Sequence, residues 1–163
     1  NEVAFVNGVD RRGVLDKMGS TLAVLLARDS WAVVAHLGDS RVYRLRNRVL
    51  ELLTQDHSLY YELLRTGSLG LPASHKHARS RAITRALGSD GPPRPDMRTM
   101  RVQPGDRFLL CSDGLTDVLG GPAIAARLSL PELYEVPDQL IADAYDAGTR
   151  DNITVVAVEA TAA

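Results

Sequence analysis

Arg107-Phe108-Leu109-Leu110-Cys111-Ser112-Asp113-Gly114-Leu115-Thr116-Asp117 joins an apolar run to a turn that carries carboxylates. The run from Arg107 to Cys111 predicts a buried strand. Gly114 lets the backbone turn sharply without a Cβ clash. Leu115 to Leu119 predicts the first turns of a helix. On a helix, Asp113 and Asp117 would lie near one face, one turn apart. Two like charges held that close repel unless something positive sits between them. A hard divalent cation such as Mg²⁺ or Mn²⁺ takes oxygen ligands and meets that need. The competing reading is an Asp at a helix start and a second Asp in solvent. This motif alone does not separate the two.

Outward from this stretch, the chain reads as strands. Thr21 to Ala27 and Trp31 to Leu37 are apolar runs of strand length, linked by the turn Arg28-Asp29-Ser30. They predict a hairpin, with Trp31 in the core. Gly38-Asp39-Ser40 breaks the pattern, and Arg41 to Arg46 resumes it with polar–apolar alternation. Asn47-Arg48 turns the chain, and Val49 to Leu53 returns. The order predicts an antiparallel meander, so the core is a sheet and not a helix bundle. Asp56-His57-Ser58 can cap a helix holding Leu59, Tyr60, Leu63 and Leu64 and ended by Gly67. Residues 67 to about 81 are rich in Gly, Pro, Ser and His and read as a surface flap. Ile83 to Leu87, Met97 to Val102 and Ile153 to Val158 predict further strands. The segment from Asp117 to Ala147 reads as mainly helical. Residues 1 to about 10 read as the end of a helix.

The 163 residues suffice for one domain with a sizeable core. The formal net charge of −1 gives no global pull toward nucleic acid or anionic membrane. No apolar run approaches the length of a membrane span, and no signal peptide is visible. The single cysteine excludes an internal disulfide framework and fits a reducing, cytoplasmic compartment. Cys111 lies inside the apolar run and reads as an inert core thiol. His57 with His75 and His77 could be read as zinc ligands, but no cysteine is near and a solvated flap is the simpler account. Arg79, Arg81 and Arg85 could attract a phosphorylated group or form an ordinary charged surface.

Three acidic residues share one context. Asp39 follows the strand ending at Leu37, Asp113 follows the strand ending at Cys111, and Asp151 precedes the strand starting at Ile153. Strand ends can converge on one rim, which would gather these carboxylates. Such a cluster is costly without a cation and becomes a metal site with one. Water bound there is a stronger acid and can supply a nucleophile near neutral pH. Turn chemistry is the competing account of each Asp taken alone.

Five motifs in order carry a family resemblance: Gly19-Ser20-Thr21, Leu37-Gly38-Asp39-Ser40-Arg41, Leu53-Thr54-Gln55-Asp56-His57-Ser58, Cys111 to Asp117, and Arg150-Asp151-Asn152-Ile153-Thr154. Together they resemble the metal-dependent serine/threonine protein phosphatases of type 2C, in their bacterial form. The resemblance implies an α+β fold, an antiparallel β-sandwich flanked by helices (α-β-β-α). It implies metal-dependent hydrolysis of phosphoserine and phosphothreonine on proteins, with a water between two metals attacking phosphorus in line. By position, Asp113 and Asp151 match ligands to the second metal of the catalytic pair. Asp39, with Asp113 and Asp117, matches a weaker third metal site. Asn152 matches a residue that orients Asp151, and Gly114 matches the turn glycine. The implied cofactors are two or three Mn²⁺ or Mg²⁺ ions. The implied partners are phosphorylated proteins made by a serine/threonine kinase; the charge balance and the short apolar runs add the expectation of no nucleic acid and no membrane segment in this chain.

The departures matter as much. Type 2C phosphatases carry upstream motifs that supply further ligands and a phosphate-binding Arg, and none has a counterpart here. The chain begins at Asn1 without an initiating Met. The expectation is therefore a partial phosphatase-like domain over 1–163, incomplete at its N-terminus, with a flap at 54–81. It corresponds to the C-terminal part of the family's domain, and by itself it should show little turnover. The rival is a phosphatase-like binding or regulatory module without activity.

Overall fold

The computed structural model describes residues 8–9, 15–16, 19–67, 82–89 and 92–162. Strands β1 (Gly8–Val9) and β2 (Leu15–Asp16) pair as a short antiparallel ladder. Gly8 and Val9 are therefore extended, and the remainder of the expected N-terminal helix lies outside the described residues. Strands β3 (Leu22–Arg28) and β4 (Trp31–Leu37) form the first long hairpin, turned at Asp29 with φ 52°. Strands β5 (Arg41–Arg46) and β6 (Val49–Leu52) form the second. Its turn residues, Asn47 and Arg48, both have positive φ, which matches the twist a two-residue hairpin needs. Helix α1 (Leu59–Arg65) follows. Strands β7 (Asp96–Arg101) and β8 (Arg107–Cys111) come next. The single-turn helix α2 (Asp113–Thr116), α3 (Gly121–Leu128), a 3₁₀ turn at Leu133–Glu135, α4 (Val136–Asp146) and strand β9 (Val155–Glu159) complete the order.

The long strands form two antiparallel sheets rather than one meander. One runs β3-β4-β7 and the other β6-β5-β8-β9. The chain changes sheet at Gly38-Asp39-Ser40, because β4 pairs with β7 and β5 pairs with β8. Both partners lie far along the sequence, beyond the reach of local periodicity. Residues 83–87 also differ from expectation. They make only isolated bridges, Ile83 to Ser58 and Leu87 to Ser20.

Strand β8 shows why its sequence is apolar throughout. Phe108 faces the other sheet and packs with Ala32, Val34, Val42, Leu53 and Met100. Leu109 and Cys111 face the opposite way, against Leu115, Ile124, Leu128, Val136, Leu140 and Ala144 of the helical layer. Successive side chains of a strand alternate faces, so a strand covered on both sides must be apolar at every step. Each fully buried Leu or Phe here contributes about 2 kcal/mol. The result is an α+β sandwich: a three-stranded sheet, a four-stranded sheet and a layer of helices.

The outer face of the three-stranded sheet is different. It presents Leu26, 66% exposed, Met97, 70% exposed, and Trp31, 46% exposed. Trp31 is therefore not a core residue; the Arg101 guanidinium stacks on its ring, 4.0 Å from the centroid. Val156 and Val158 of β9 share a face with Phe108 and are also exposed. No helix among the described residues is long and apolar enough to cross a membrane.

Candidate metal centre

Register decides where the acidic residues go. Arg41 of β5 pairs with Cys111 of β8, and Cys111 pairs with Val155 of β9. This row is the last rung of the four-stranded sheet at one end. Asp39, Asp113 and Asp151 all lie just beyond it, on the same rim.

Each Asp is set by its own local device. Gly38 adopts φ +99°, and a Cβ on it would stand 2.4 Å from Cγ2 of Thr21. Only glycine fits that approach, and it lets the chain step between the sheets and deliver Asp39 at their junction. The hydroxyls of Thr21 and Ser40 bond across the step at 2.8 Å. At the end of β8, the Ser112 N–H donates to the Thr154 carbonyl at 3.1 Å, and Ser112 Oγ accepts the Thr154 N–H at 3.0 Å. These bonds lock the two strand ends together. A Cβ on Gly114 would lie 2.4 Å from the Asn152 carbonyl oxygen and 3.4 Å from Cβ of Asp151, so the glycine allows the Asp151 loop to close on α2. Thr149 Oγ1 donates to the Gly114 carbonyl at 2.8 Å. The Asn152 backbone N–H donates to Asp151 Oδ1 at 2.8 Å. The Asp117 N–H donates to the Asp113 carbonyl at 2.8 Å. The helix at this point is a single turn, shorter than the sequence predicts, and it still sets Asp113 and Asp117 one turn apart.

The electrostatics follow. Burial pushes the Asp39 carboxyl up, and the negative charge of Asp113 pushes it further, to about 6. Asp113 is raised as well, first by burial, then by Asp151 and Asp117. No described Lys or Arg forms an ion pair with Asp39, Asp113 or Asp151. Asp113 raises Asp39, and Asp151 and Asp117 raise Asp113, the direction expected of a carboxylate short of positive charge. An all-oxygen donor set of this kind fits a hard cation such as Mg²⁺ or Mn²⁺.

Two groups of residues around this rim carry roles that sequence reasoning missed. Asp56 accepts a bidentate pair from Arg41, at 2.9 Å from Nε and 2.7 Å from Nη2. His36, His57 and Asp96 form the other group, with one ligand-capable atom each within 4.8 Å of the others. Hydrogen bonds account for this cluster. His36 Nε2 sits 2.8 Å from the Gln55 carbonyl, which can only accept. His57 Nδ1 accepts the Gly38 N–H at 3.1 Å, so its proton is on Nε2, 3.1 Å from Asp96 Oδ2. The rings stack with centroids 4.6 Å apart. Burial holds the His57 imidazole below its usual value, against the pull of Asp96. The Leu53-to-Ser58 motif marked this region, but its side chains read as helix caps. The Ser58 side chain in fact makes no cap bond to α1. Arg85 pairs with Asp96 at 2.9 Å, while His75, His77, Arg79 and Arg81 lie outside the described residues.

With this geometry in hand, likeness to known proteins is informative. The profile of the family described as Protein phosphatase 2C matches residues 9–144. The serine/threonine phosphatase stp of Listeria monocytogenes is 42% identical over 146 residues, covering 89% of this chain and 58% of that protein. The chain thus spans little more than half the length of such curated relatives. The crystal structure of the Mycobacterium tuberculosis serine/threonine phosphatase PstP/Ppp superposes with a TM-score of 0.87 at 33% identity, covering 99% of this chain and 67% of that one. The catalytic domain of PstP in complex with two manganese ions gives 0.82 at 32% identity, covering 99% and 66%.

Proposed function

We propose, from the premise that this chain belongs to the protein phosphatase 2C family, that it is the C-terminal part of a metal-dependent protein serine/threonine phosphatase. One observation carries the reading. The Arg41–Cys111–Val155 rung sets Asp39, Asp113 and Asp151 beyond the same strand ends, where Asp113 raises Asp39 and Asp151 raises Asp113.

In this reading Asp113 and Asp151 are ligands of the catalytic Mn²⁺ or Mg²⁺ pair, and Asp39 and Asp117 hold a further ion with Asp113. Bound there, the cations would acidify water and neutralise charge on the phosphoryl group during in-line displacement. The chain's own residues do the positioning. Gly114 lets Asp151 approach, and the Asn152 N–H orients its carboxylate. Ser112 ties the two strand ends at fixed separation. The substrates are phosphoserine and phosphothreonine proteins made by a serine/threonine kinase; of the flap expected at 54–81, residues 68–81 lie outside the described residues. The free, buried Cys111 supports a reducing, cytoplasmic setting.

A second reading is a phosphatase-like module without turnover. It is favoured by the commitment of Arg41 to Asp56 and of Arg85 to Asp96, which leaves neither to clamp a phosphate. The two readings part on hydrolysis of a phosphothreonine peptide by the intact protein in Mn²⁺. Asp113→Ala should reduce that turnover at least about a thousandfold, or ~4 kcal/mol. Asp117→Ala should slow turnover while leaving the tightly held metals bound. Near-wild-type activity in Asp113→Ala would overturn the assignment, and a metal-replete intact protein without turnover would favour the module.

A further inference from the structure

We propose that His57 is a positioning residue for Asp39, with Asp96 fixing the tautomer that lets it act. The inference rests on the reading of Asp39 as a metal ligand.

His57 grips Gly38 from both sides. The Gly38 N–H donates to its Nδ1 at 3.1 Å, and the His57 N–H donates to the Gly38 carbonyl at 2.9 Å. Both backbone groups of the residue before Asp39 are thus bonded to one partner. Thr21, against which Gly38 packs, blocks the remaining side. The same segment holds the chain beyond Asp39. Asp56 pairs with Arg41, and Thr54 Oγ1 accepts the Val42 N–H at 3.2 Å. Thr54 to His57 therefore brackets Asp39 at residues 38, 41 and 42.

The bracket depends on a protonation pattern. A backbone N–H can be accepted only by a bare ring nitrogen, so Nδ1 must be unprotonated and Nε2 must carry the hydrogen. Asp96 Oδ2 is the acceptor that fixes this, at 3.1 Å. Its other oxygen accepts from Arg85 Nη1 at 2.9 Å. A carboxylate behind an imidazole sets the tautomer and ring orientation of metal-ligating histidines. Here the imidazole acts one step further back, on the turn that carries the ligand. Residues 82–87 join the same network, since the Thr84 N–H donates to the His57 carbonyl at 2.8 Å.

A role limited to packing predicts something else, because His57 is buried and stacked on His36. Amide isosteres separate the two. In His57→Asn the amide oxygen stands for Nδ1 and can accept the Gly38 N–H. In His57→Gln the amide nitrogen stands for Nε2–H, and Gly38 loses its acceptor. Asp96→Asn, at an exposed site, turns its oxygen to Arg85 and its NH₂ to His57, which forces the wrong tautomer. The experiment is calorimetric Mn²⁺ titration of the intact protein and these variants, with ¹⁵N spectra of the imidazole. Wild type should show a bare Nδ1. His57→Gln and Asp96→Asn should weaken the Asp39-dependent Mn²⁺ site about tenfold, while His57→Asn retains most of the affinity. Equal losses in Asn and Gln variants, tracking their loss of thermal stability, would overturn the proposal. Asp39→Ala is the control. If it leaves Mn²⁺ binding unchanged, the ligand reading fails; if it weakens binding while Asp96→Asn does not, the positioning role alone fails.

Discussion

Strand β8 has a carboxylate just outside each end, and the two sit in opposite surroundings. Asp106, before Arg107, is only 1% exposed. It accepts from Arg46 Nε at 2.6 Å, from Arg46 Nη2 at 2.5 Å and from the Gln103 N–H at 2.9 Å. Burial pushes its carboxyl up, and Arg46 and Gln103 more than reverse this, holding it below the usual range. Asp113, after Cys111, is raised by burial and by Asp151 and Asp117. A carboxylate with its own guanidinium serves the fold. Carboxylates whose charge raises a neighbour's pKa cost stability until a cation arrives, and such perturbed groups cluster where chemistry happens.

The comparison can be broken in three ways. The largest effect is expected at the structural end. Asp106→Ala should destabilise the metal-free protein by about 3 kcal/mol, because it strands Arg46; Asp113→Asn should be neutral or stabilising in the same urea titration with chelator. Equal losses at both ends would erase the distinction. The next is Gly114→Ala. Its Cβ would meet the Asn152 carbonyl at 2.4 Å, so the Asp151 loop must move, at a cost of about 2 kcal/mol. Metal affinity should fall with it, and a stable variant with unchanged Mn²⁺ binding would show that the close approach is not needed.

The smallest effect is in pH. Asp39 has a folded pKa of about 6, above its usual value of 3.8. The folded state therefore binds that proton first, and the associated stability is gained as pH falls from above 6 toward 4. Asp106 has the opposite sign. Its contribution is present above the usual carboxylate pKa and lost as pH falls through its lowered folded value. Chelated protein should gain about 1 kcal/mol between pH 7 and 4.5, allowing for solvent screening, then lose stability in stronger acid. Asp39→Asn should shrink the gain, leaving the part from Asp113, whose carboxyl is also raised, and should leave the acid loss. A monotonic fall from pH 7 would contradict the sign at the rim.

Much of this was legible in the chain. Trp31 to Leu37 and Arg107 to Cys111 announced buried strands by unbroken apolar sequence, and glycine beside aspartate marked the strand ends. What the sequence hid is long-range. Strand periodicity shows which side chains share a face, not which sheet the strand joins, so the crossing at Gly38-Asp39-Ser40 read as a simple meander. Trp31 read as core because an aromatic in a strand usually is, whereas its side of the sheet has no cover among the described residues. His57 read as part of a helix cap because its true partners, Gly38 and Asp96, lie far from it in sequence. Nothing local to Asp106 reveals its pairing with Arg46.

Cys111 has a practical consequence. It is the only thiol in these 163 residues, buried in the strand that links the two ends, and burial pushes it up to about 12. A thiol this protected reacts with an alkylating reagent only when β8 comes away from the helices and from β9. The chain thus contains its own clock for opening. Alkylation followed by mass spectrometry would time the release of the strand that leads into Asp113, at a point nearer the acidic rim than Trp31.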